Sequence, residues 1–469
     1  MIARVTKILL SILLISAVTN AQPSSLTSQQ KSWLEKSNRH EKNGWIYIHI
    51  EGSPEERGFQ YGYLMAKDTK DVIDATAKEW NYQTAMDWSW LVERTGQIFT
   101  PKVNDEILKE LDGIKEGMKV AGFSTTRDEL VALNGIIELE WYWWPTVKDS
   151  FKTNSNFPQK ESCSSFIATG SMTADGKIVL GHNTMGGYQD PTCNVILDIK
   201  PESGHRILMQ SGPGFIHSAT DFFITNAGLV GSETTIGDFV PFDVNGEPEF
   251  SRMRHATQYA DNIDQWCDIM KKNNNGGYAN AWLIGDINTN EIARLELGLK
   301  QVALEKKKDG YFTGSNIAEN LKLLRFETKS DETNIKNSNI ARRVRWKQLM
   351  KKYAGKINID LAEKFEADHY DTYLNKVRPG NRTLCSHHDL DESLFDNHVP
   401  YEPGGTYDGK VVDAKMAKKM SFVARWGSAC GTAFNAKKFL EEHPQFDYLN
   451  GRLKDRPSEP WTEFIAGEK

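Results

Sequence analysis

The hydrophobic period of this chain switches at Cys163 from mainly helical to strand-like, and that change limits the folds open to it. Ahead of the switch, apolar residues recur at helical spacing. In PKVNDEILKELDGIKEGMKVAG, the residues Val103, Ile107, Leu108, Leu111, Ile114 and Met118 form one stripe that Gly122 ends. Thr126 and Glu129 make a capping box that opens a further helix, DELVALNGIIELEWYWW, before Pro145 and the polar run KDSFKTNSNFPQKES. Only the early run WIYIHIEG is strand-like in this front region. Beyond the switch, CSSFIATG, KIVLGHN, NVILDIK, HRILMQS, DFFITN and GLVGSETTI are short β-prone runs parted by ADG, PESG, GPG and NAG. They predict an antiparallel sheet. A helical stretch (PEFSRMRHATQYADNIDQWCDIMKK), a strand pair (ANAWLIGD and IARLELG) and helices around 338–370 follow. The class is α+β, with sheets covered by helices.

At 469 residues and 39% apolar, the chain can bury a substantial core. A net charge of −6, with no basic stripe beside a nucleic-acid-reading motif, argues against DNA or RNA as a ligand. Arg4 and Lys7 precede the apolar run ILLSILLISAV and the small-residue end TNA, which reads as a signal peptide over residues 1–21 and predicts a secreted or periplasmic protein. The run is shorter than the roughly 20 residues of a spanning helix, so no stable membrane insertion is expected. Export makes the cysteines informative. Cys163, Cys193, Cys267, Cys385 and Cys430 are odd in number, so at least one is unpaired within a monomer. The other four allow two bridges, and five free thiols is an equal alternative. Neither CxxC nor HExxH spacing occurs, and no metal or other cofactor is expected.

Cys163 itself stands between a polar loop and a strand. A free cysteine is commonly a small buried hydrophobe. A cut between Ser162 and Cys163, however, would give it an α-amine with a pKa of about 7.7–8.0, uniting nucleophile and base in one residue. Strand register supplies a condition. If Asp175-Gly176 formed a two-residue hairpin turn, His182 would face Thr169, roughly 20 Å from Cys163 at about 3.4 Å per residue. A longer connection over 170–177 would put His182 opposite Ser165, on the face of Cys163 and about 7 Å away on the diagonal. A site containing both residues requires the longer connection.

CSSFIATGSMTADGKIVLGHNTMGGY and GPGFIHSATDFFITNAGLVGSETTI carry a family likeness, with EGSPEERGFQYGYLMAKD and DELVALNGIIELEW ahead of them and FNAKKFLEEHPQFDYLNGRLKDRPSEPW near the end. The chain resembles the phospholipase B-like proteins, a branch of the N-terminal-nucleophile (Ntn) hydrolases related to the C45 acyltransferase and choloylglycine hydrolase group. The resemblance implies an αββα sandwich of antiparallel sheets flanked by helices. It also implies self-cleavage that turns residues 22–162 into a helical, propeptide-like small chain and 163–469 into the catalytic core. The two chains are then expected to stay associated, and a homo-oligomer is open. Cys163 would be the nucleophile. His182, in GHNT, stands where bile-acid amide hydrolases carry Arg, and Met185 where they carry Asp. Asn316, in YFTGSNIAEN, matches the strand-end oxyanion donor. Glu233, Thr234 and Thr235 would line the substrate pocket, with Glu233 a hydrogen-bond anchor rather than an acid, and Arg382 and the pair His387–His388 would reach it from the tail.

The implied activity is hydrolysis of a carboxylic ester or amide of a lipid or acyl substrate through an acyl-Cys163 intermediate. Phospholipid deacylation comes first, and N-acyl amide hydrolysis or acyl transfer of the C45 type is the alternative. The stretches WYWWP (141–145) and EWNYQTAMDWSW (79–90) read as core packing or as the lining of an acyl-chain channel. A secreted, non-catalytic lipid- or glycan-binding protein is the reading from another class. A papain-like protease is disfavoured, because no C-G-x-C-W context surrounds Cys163.

Overall fold

The β-prone runs divide between two sheets. The computed structural model describes residues 25–151, 163–190, 193–218, 222–393 and 399–469, so the expected signal peptide and Ser162 lie outside the described residues. The front region supplies β1 (Asn38–Lys42) and β2 (Trp45–Gly52). The middle supplies β3 (Cys163–Thr169), β4 (Val179–Gly187), β5 (Val195–Pro201), β6 (Ile207–Ser211), β7 (Phe222–Thr225) and β8 (Leu229–Thr235). Next come β9 (Asn280–Asp286), β10 (Glu291–Leu297), β11 (Val302–Lys307) and β12 (Gly310–Gly314). After the small ladder of β13 (Tyr370–Asp371) and β14 (Lys376–Val377) the chain ends with β15 (Gly404–Asp413), β16 (Ser421–Trp426) and β17 (Thr462–Ile465).

Among the described residues, one sheet has nine strands in the order β1-β2-β5-β6-β7-β8-β9-β10-β11, and the other six in the order β12-β3-β4-β15-β16-β17. The runs that read as one sheet from Cys163 onward are therefore split between β4 and β5, where the chain crosses from the second sheet to the first. Period-two patterning reports a strand's faces and not its sheet. Pairing is antiparallel except where β2 joins β5 in parallel, from Ile46↔Val195 to Gly52↔Pro201. The front segment is thus mainly helical but not helical throughout, since two of its strands belong to the larger sheet.

Three apolar clusters separate four layers. Ile48, Ile50, Leu197 and Met209 on one face of the nine-stranded sheet meet Leu111, Ile114, Met118 and Leu133 of the front helices. Its other face, with Tyr47, Ile196, Leu208 and Leu283, meets Ile167, Leu180, Val412 and Phe422 of the six-stranded sheet. The far face of that sheet, with Phe166, Ala168 and Val179, packs on Trp346, Leu349 and Phe365 from the helices Ser338–Lys352 and Ile359–Glu366. The order is helix, sheet, sheet, helix, the αββα sandwich. Strands covered on both faces are buried along most of their length, as VLGHNTMGG and VILDIKP are, polar members included.

Small residues in the front helices serve close packing. The helices Pro54–Leu64 and Asp105–Val120 touch so closely that a Cβ at Gly58 would stand 2.1 Å from the Glu110 carbonyl oxygen, and one at Gly62 2.1 Å from that of Ile114. The sequence expectation of one helix across DELVALNGIIELEWYWW is met only in pieces. Arg127–Asn134 ends at Gly135, and Leu139–Trp143 winds as a π-helical turn.

A buried carboxylate ties the carboxy-terminal end to the larger sheet. Asp198 of β5 accepts hydrogen bonds from Tyr47 Oη (2.8 Å), His49 Nδ1 (2.7 Å), Arg206 Nε (2.8 Å) and Nη2 (2.6 Å), and the Gly467 amide (2.8 Å). Burial alone would raise its pKa, but the hydrogen bonds from His49 and Arg206 outweigh it and hold the carboxyl at about 2. A depressed folded-state pKa stabilises above the unfolded value of about 3.9, and that contribution of about 2–3 kcal/mol is lost as pH falls from there through the folded value. Asp198→Asn is expected to lower unfolding free energy by about 3–5 kcal/mol at pH 7 and to flatten the acid limb between pH 4 and 2, as read from urea melts across pH. An unchanged acid limb would contradict this role.

Candidate active site

The connection between β3 and β4 sets the register of the site. A 3-10 turn over Gly170–Met172 follows β3, Gly170 and Gly176 adopt φ of +63° and +74°, and Thr173 bridges to Ile357. This is the longer connection rather than a two-residue turn. Cys163 therefore pairs with Thr184 and Ser165 with His182, which places Cys163, Ser165 and His182 on the face turned toward the nine-stranded sheet.

Across that interface stands β8. The Cys163 thiol, 1% exposed, lies 3.7 Å from Glu233 Oε1, which also accepts a hydrogen bond from Tyr278 Oη at 2.9 Å. His182 Nε2 is 3.0 Å from the Glu233 carbonyl oxygen. Burial, aided by the nearby Lys410 charge, drives the His182 pKa well below the ordinary histidine value, so the ring is neutral. A carbonyl only accepts, so the proton resides on Nε2. Ser165 Oγ donates to the Gly181 carbonyl (2.9 Å) and lies 2.7 Å from Ser232 Oγ. His182 thus braces the backbone that carries Glu233, a positioning role that its expected catalytic one did not include.

Asn316 follows β12, whose Gly314 pairs with Ser165. Its backbone has φ of +63°, a left-handed conformation that Asn tolerates better than most residues. Its Oδ1 accepts from the Cys163 amide at 3.4 Å and from Arg342 Nη2 at 2.9 Å, while Nδ2 donates to the Thr235 carbonyl at 2.9 Å. The second Nδ2 proton is the one suited to an oxyanion. Arg342 then completes a clasp, its Nη1 donating to the Cys163 carbonyl at 2.6 Å and its Nε to Ser338 Oγ at 3.0 Å.

Sequence reasoning passed over Arg342, Tyr278 and a buried charge pair. Arg342 lies four residues before Trp346 and seven before Leu349, on the apolar stripe of its helix, and an arginine on such a stripe was the available signal. Lys410 of β15 pairs with His182 across the strands, and its Nζ donates to Asp408 Oδ1 (2.5 Å), Thr184 Oγ1 (2.6 Å) and Gln210 Oε1 (2.9 Å). With Met185 on β4, charge beside the site comes from β15 instead. From the sequence, the stretch beyond the helices around 338–370 reads as a glycine- and proline-punctuated tail, so the contribution of this strand was not legible.

Other expected residues serve elsewhere. Arg382 donates from Nε and Nη2 to Asp371 Oδ2, at 2.9 and 2.8 Å, and so its guanidinium anchors the tail instead of reaching for substrate. Thr235 meets Asn316 through its backbone carbonyl, and Thr234 Oγ1 lies where a Cβ on Gly314 would stand 2.4 Å from it. His387 packs with cysteines, and the His388 amide donates to the Gly404 carbonyl. Trp80 and Trp144 are fully buried and packed edge-on at 5.2 Å, which makes them core. No disulfide joins any of the five cysteines among the described residues.

An αββα sandwich with a cysteine opening a central strand defines the fold class of the N-terminal-nucleophile hydrolases. The phospholipase B family model matches residues 65–298, a span that includes Cys163, His182 and Glu233. The chain belongs to the phospholipase B-like family. It is 27% identical to phospholipase B-like 1 of Bos taurus over 251 residues, 47% of this chain and 43% of that one. It is 24% identical to an uncharacterized protein of Archaeoglobus fulgidus over 247 residues, 50% of this chain and 40% of the relative. The matches thus span less than half the length of each relative. A mutant of conjugated bile acid hydrolase from Clostridium perfringens aligns over 56% of this chain and 88% of its own, at 10% identity and a TM-score of 0.33.

The buried, neutral His182 gives a spectroscopic expectation. Nitrogen-15 NMR should show its ring Nε2-protonated and unchanged across about pH 5–8, the range in which exposed histidines titrate. A His182 resonance that titrates in that range would remove the brace to β8.

Proposed function

We propose that the protein is an exported, self-processed hydrolase that cleaves a carboxylic ester or amide of a lipid or acyl substrate through an acyl-Cys163 intermediate. The observation that carries this reading is the convergence of Glu233 on the Cys163 thiol, and of Asn316 and Arg342 on its backbone. Phospholipid deacylation is the preferred activity, consistent with the phospholipase B-like relatives. N-acyl amide hydrolysis is the alternative, since an acyl-cysteine serves both.

Two bases act in turn. The uncut chain has no α-amine at Cys163, so Glu233 takes the thiol proton while the thiolate attacks the Ser162 carbonyl carbon. Collapse with protonation of the Cys163 nitrogen moves the acyl group to sulfur. Water then hydrolyses this thioester, leaving a Ser162 carboxylate and a Cys163 bearing both free thiol and free amine. In the mature enzyme that amine accepts the thiol proton, the thiolate attacks the substrate carbonyl, and the second Asn316 Nδ2–H binds the oxyanion. The proton returns to the leaving group, and water releases the acid. His182, Tyr278 and Arg342 hold Glu233, the nucleophile's backbone and Asn316 in place.

Cys163→Ala is expected to give one uncut band with no hydrolysis of phospholipid or N-acyl amino acid, and two bands in that variant would end the self-cleavage reading. Glu233→Gln should slow the appearance of a chain starting at Cys163, followed by mass spectrometry; cleavage at the wild-type rate would remove Glu233 as its base. Asn316→Gly keeps the left-handed backbone while deleting the amide, and turnover of the processed enzyme should fall by about 100–1,000-fold. Wild-type turnover in that variant would take Asn316 out of the reaction.

A further inference from the structure

Four potential metal ligands from the carboxy-terminal loops meet outside the active site. One candidate ligand atom from each of His369, Cys385, His387 and Cys430 lies within 4.8 Å of every other. His387 Nε2 is 3.3 Å from Cys430 Sγ and 3.7 Å from Cys385 Sγ. The rings of His369 and His387 are 5.1 Å apart at 68°, and His369 Nε2 is a buried atom with no hydrogen-bond partner among the described residues. Zinc bonds of about 2.3 Å to sulfur and 2.0–2.1 Å to nitrogen, set at the tetrahedral angle, separate N from S by about 3.5 Å. The measured separations straddle that value.

We propose that His369, Cys385, His387 and Cys430 form a tetrahedral zinc site that fastens the carboxy-terminal loops to one another. Two thiolates and two neutral imidazoles would balance the dication. Four protein ligands leave no open position, the arrangement of a structural rather than a catalytic zinc. An outer partner is within reach, since Asp389 Oδ1 stands 3.6 Å from His387 Nδ1, a buried atom with no hydrogen-bond partner among the described residues, and a carboxylate drawn onto it would orient the ring for ligation through Nε2. The ligands stand at 369, 385, 387 and 430, which explains why the search for CxxC or HExxH spacing led to an expectation of no metal.

The clip also bears on the active-site strand. Asn183, next to His182 on β4, donates through Nδ2 to the Glu366 carbonyl at 2.7 Å and the Leu384 carbonyl at 2.9 Å. Leu384 adjoins Cys385, and the Cys385 amide is bonded to the Asp368 carbonyl. Zinc would therefore stiffen the loop that grips β4 from behind.

The test is elemental analysis of the full-length protein purified without chelator, repeated after incubation of the folded protein with zinc under reducing conditions. One zinc per chain is expected, lost in Cys430→Ser and kept in Cys267→Ser, whose thiol lies outside the cluster. Asp389→Asn should weaken zinc affinity about 10–100-fold. Cobalt exchanged into the wild-type protein should show thiolate-to-cobalt charge transfer and the intense visible bands of a four-coordinate ion, a readout that does not depend on any variant folding. Failure to bind zinc or cobalt, rapid alkylation of Cys430 in the protein as isolated, or a Cys385–Cys430 disulfide in the folded chain would each overturn the proposal. None of these readouts depends on hydrolysis.

Discussion

A strand buried on both faces has no water for its polar groups, and β3 opens with three residues that carry them. Cys163, Ser164 and Ser165 are all withdrawn from solvent. Each must find a protein partner, and an unmet one would cost about 1–3 kcal/mol. Ser164 Oγ accepts from the Trp346 indole at 2.9 Å on the helical side, Ser165 Oγ meets Ser232 on the side of the other sheet, and the Cys163 carbonyl meets Arg342. The network that gives Cys163 its chemical surroundings also satisfies the strand's polar groups. The sandwich and the site are thus one set of constraints: β8 must lie opposite β3, and the helix Ser338–Lys352 must lie behind it.

How far this was legible in the sequence depends on whether the information was local. The switch from helical to strand period, the glycine-marked turns and the helix start at Thr126 are local and appear in the structure, although the box itself is half made: Thr126 caps the Glu129 amide while the Glu129 carboxylate accepts from Trp88 and Thr125. The register of His182 hung on the length of one loop, for which the sequence left two alternatives open. The assignment of strands to sheets did not follow, because β4 and β5 look alike in pattern and belong to different layers. Residues that meet across layers were harder still. Tyr278 reaches Glu233 from beyond a helical segment, and Lys410 comes from a stretch whose glycines suggested irregular chain. Arg382 was expected to reach the pocket, but Asp371, eleven residues away, takes its charge.

His182 shows why a motif residue does not reveal its own task. Sequence places it in GHNT, close to the nucleophile. The structure adds a carbonyl partner, complete burial and the charge of Lys410, and together these make it a neutral donor that links the two sheets. Under the proposed self-cleavage, proton transfer is assigned instead to Glu233, whose carboxylate faces the thiol.

The parallel pairing of β2 with β5 has a consequence for the life of the molecule. β2 belongs to the segment before Cys163, yet it lies inside the nine-stranded sheet, with β1 on one side and β5 on the other. A cut before Cys163 would leave this interior strand on a different polypeptide from the strand that it joins. The pieces would separate only by opening the sheet and exposing the apolar clusters on both of its faces. Parallel pairing also requires a long crossover, and here the crossover contains the proposed cleavage point. Once severed, the chain would hold a topology that it can no longer rebuild as a single polymer, so its fold would be a record of the order of events, assembly first and scission second.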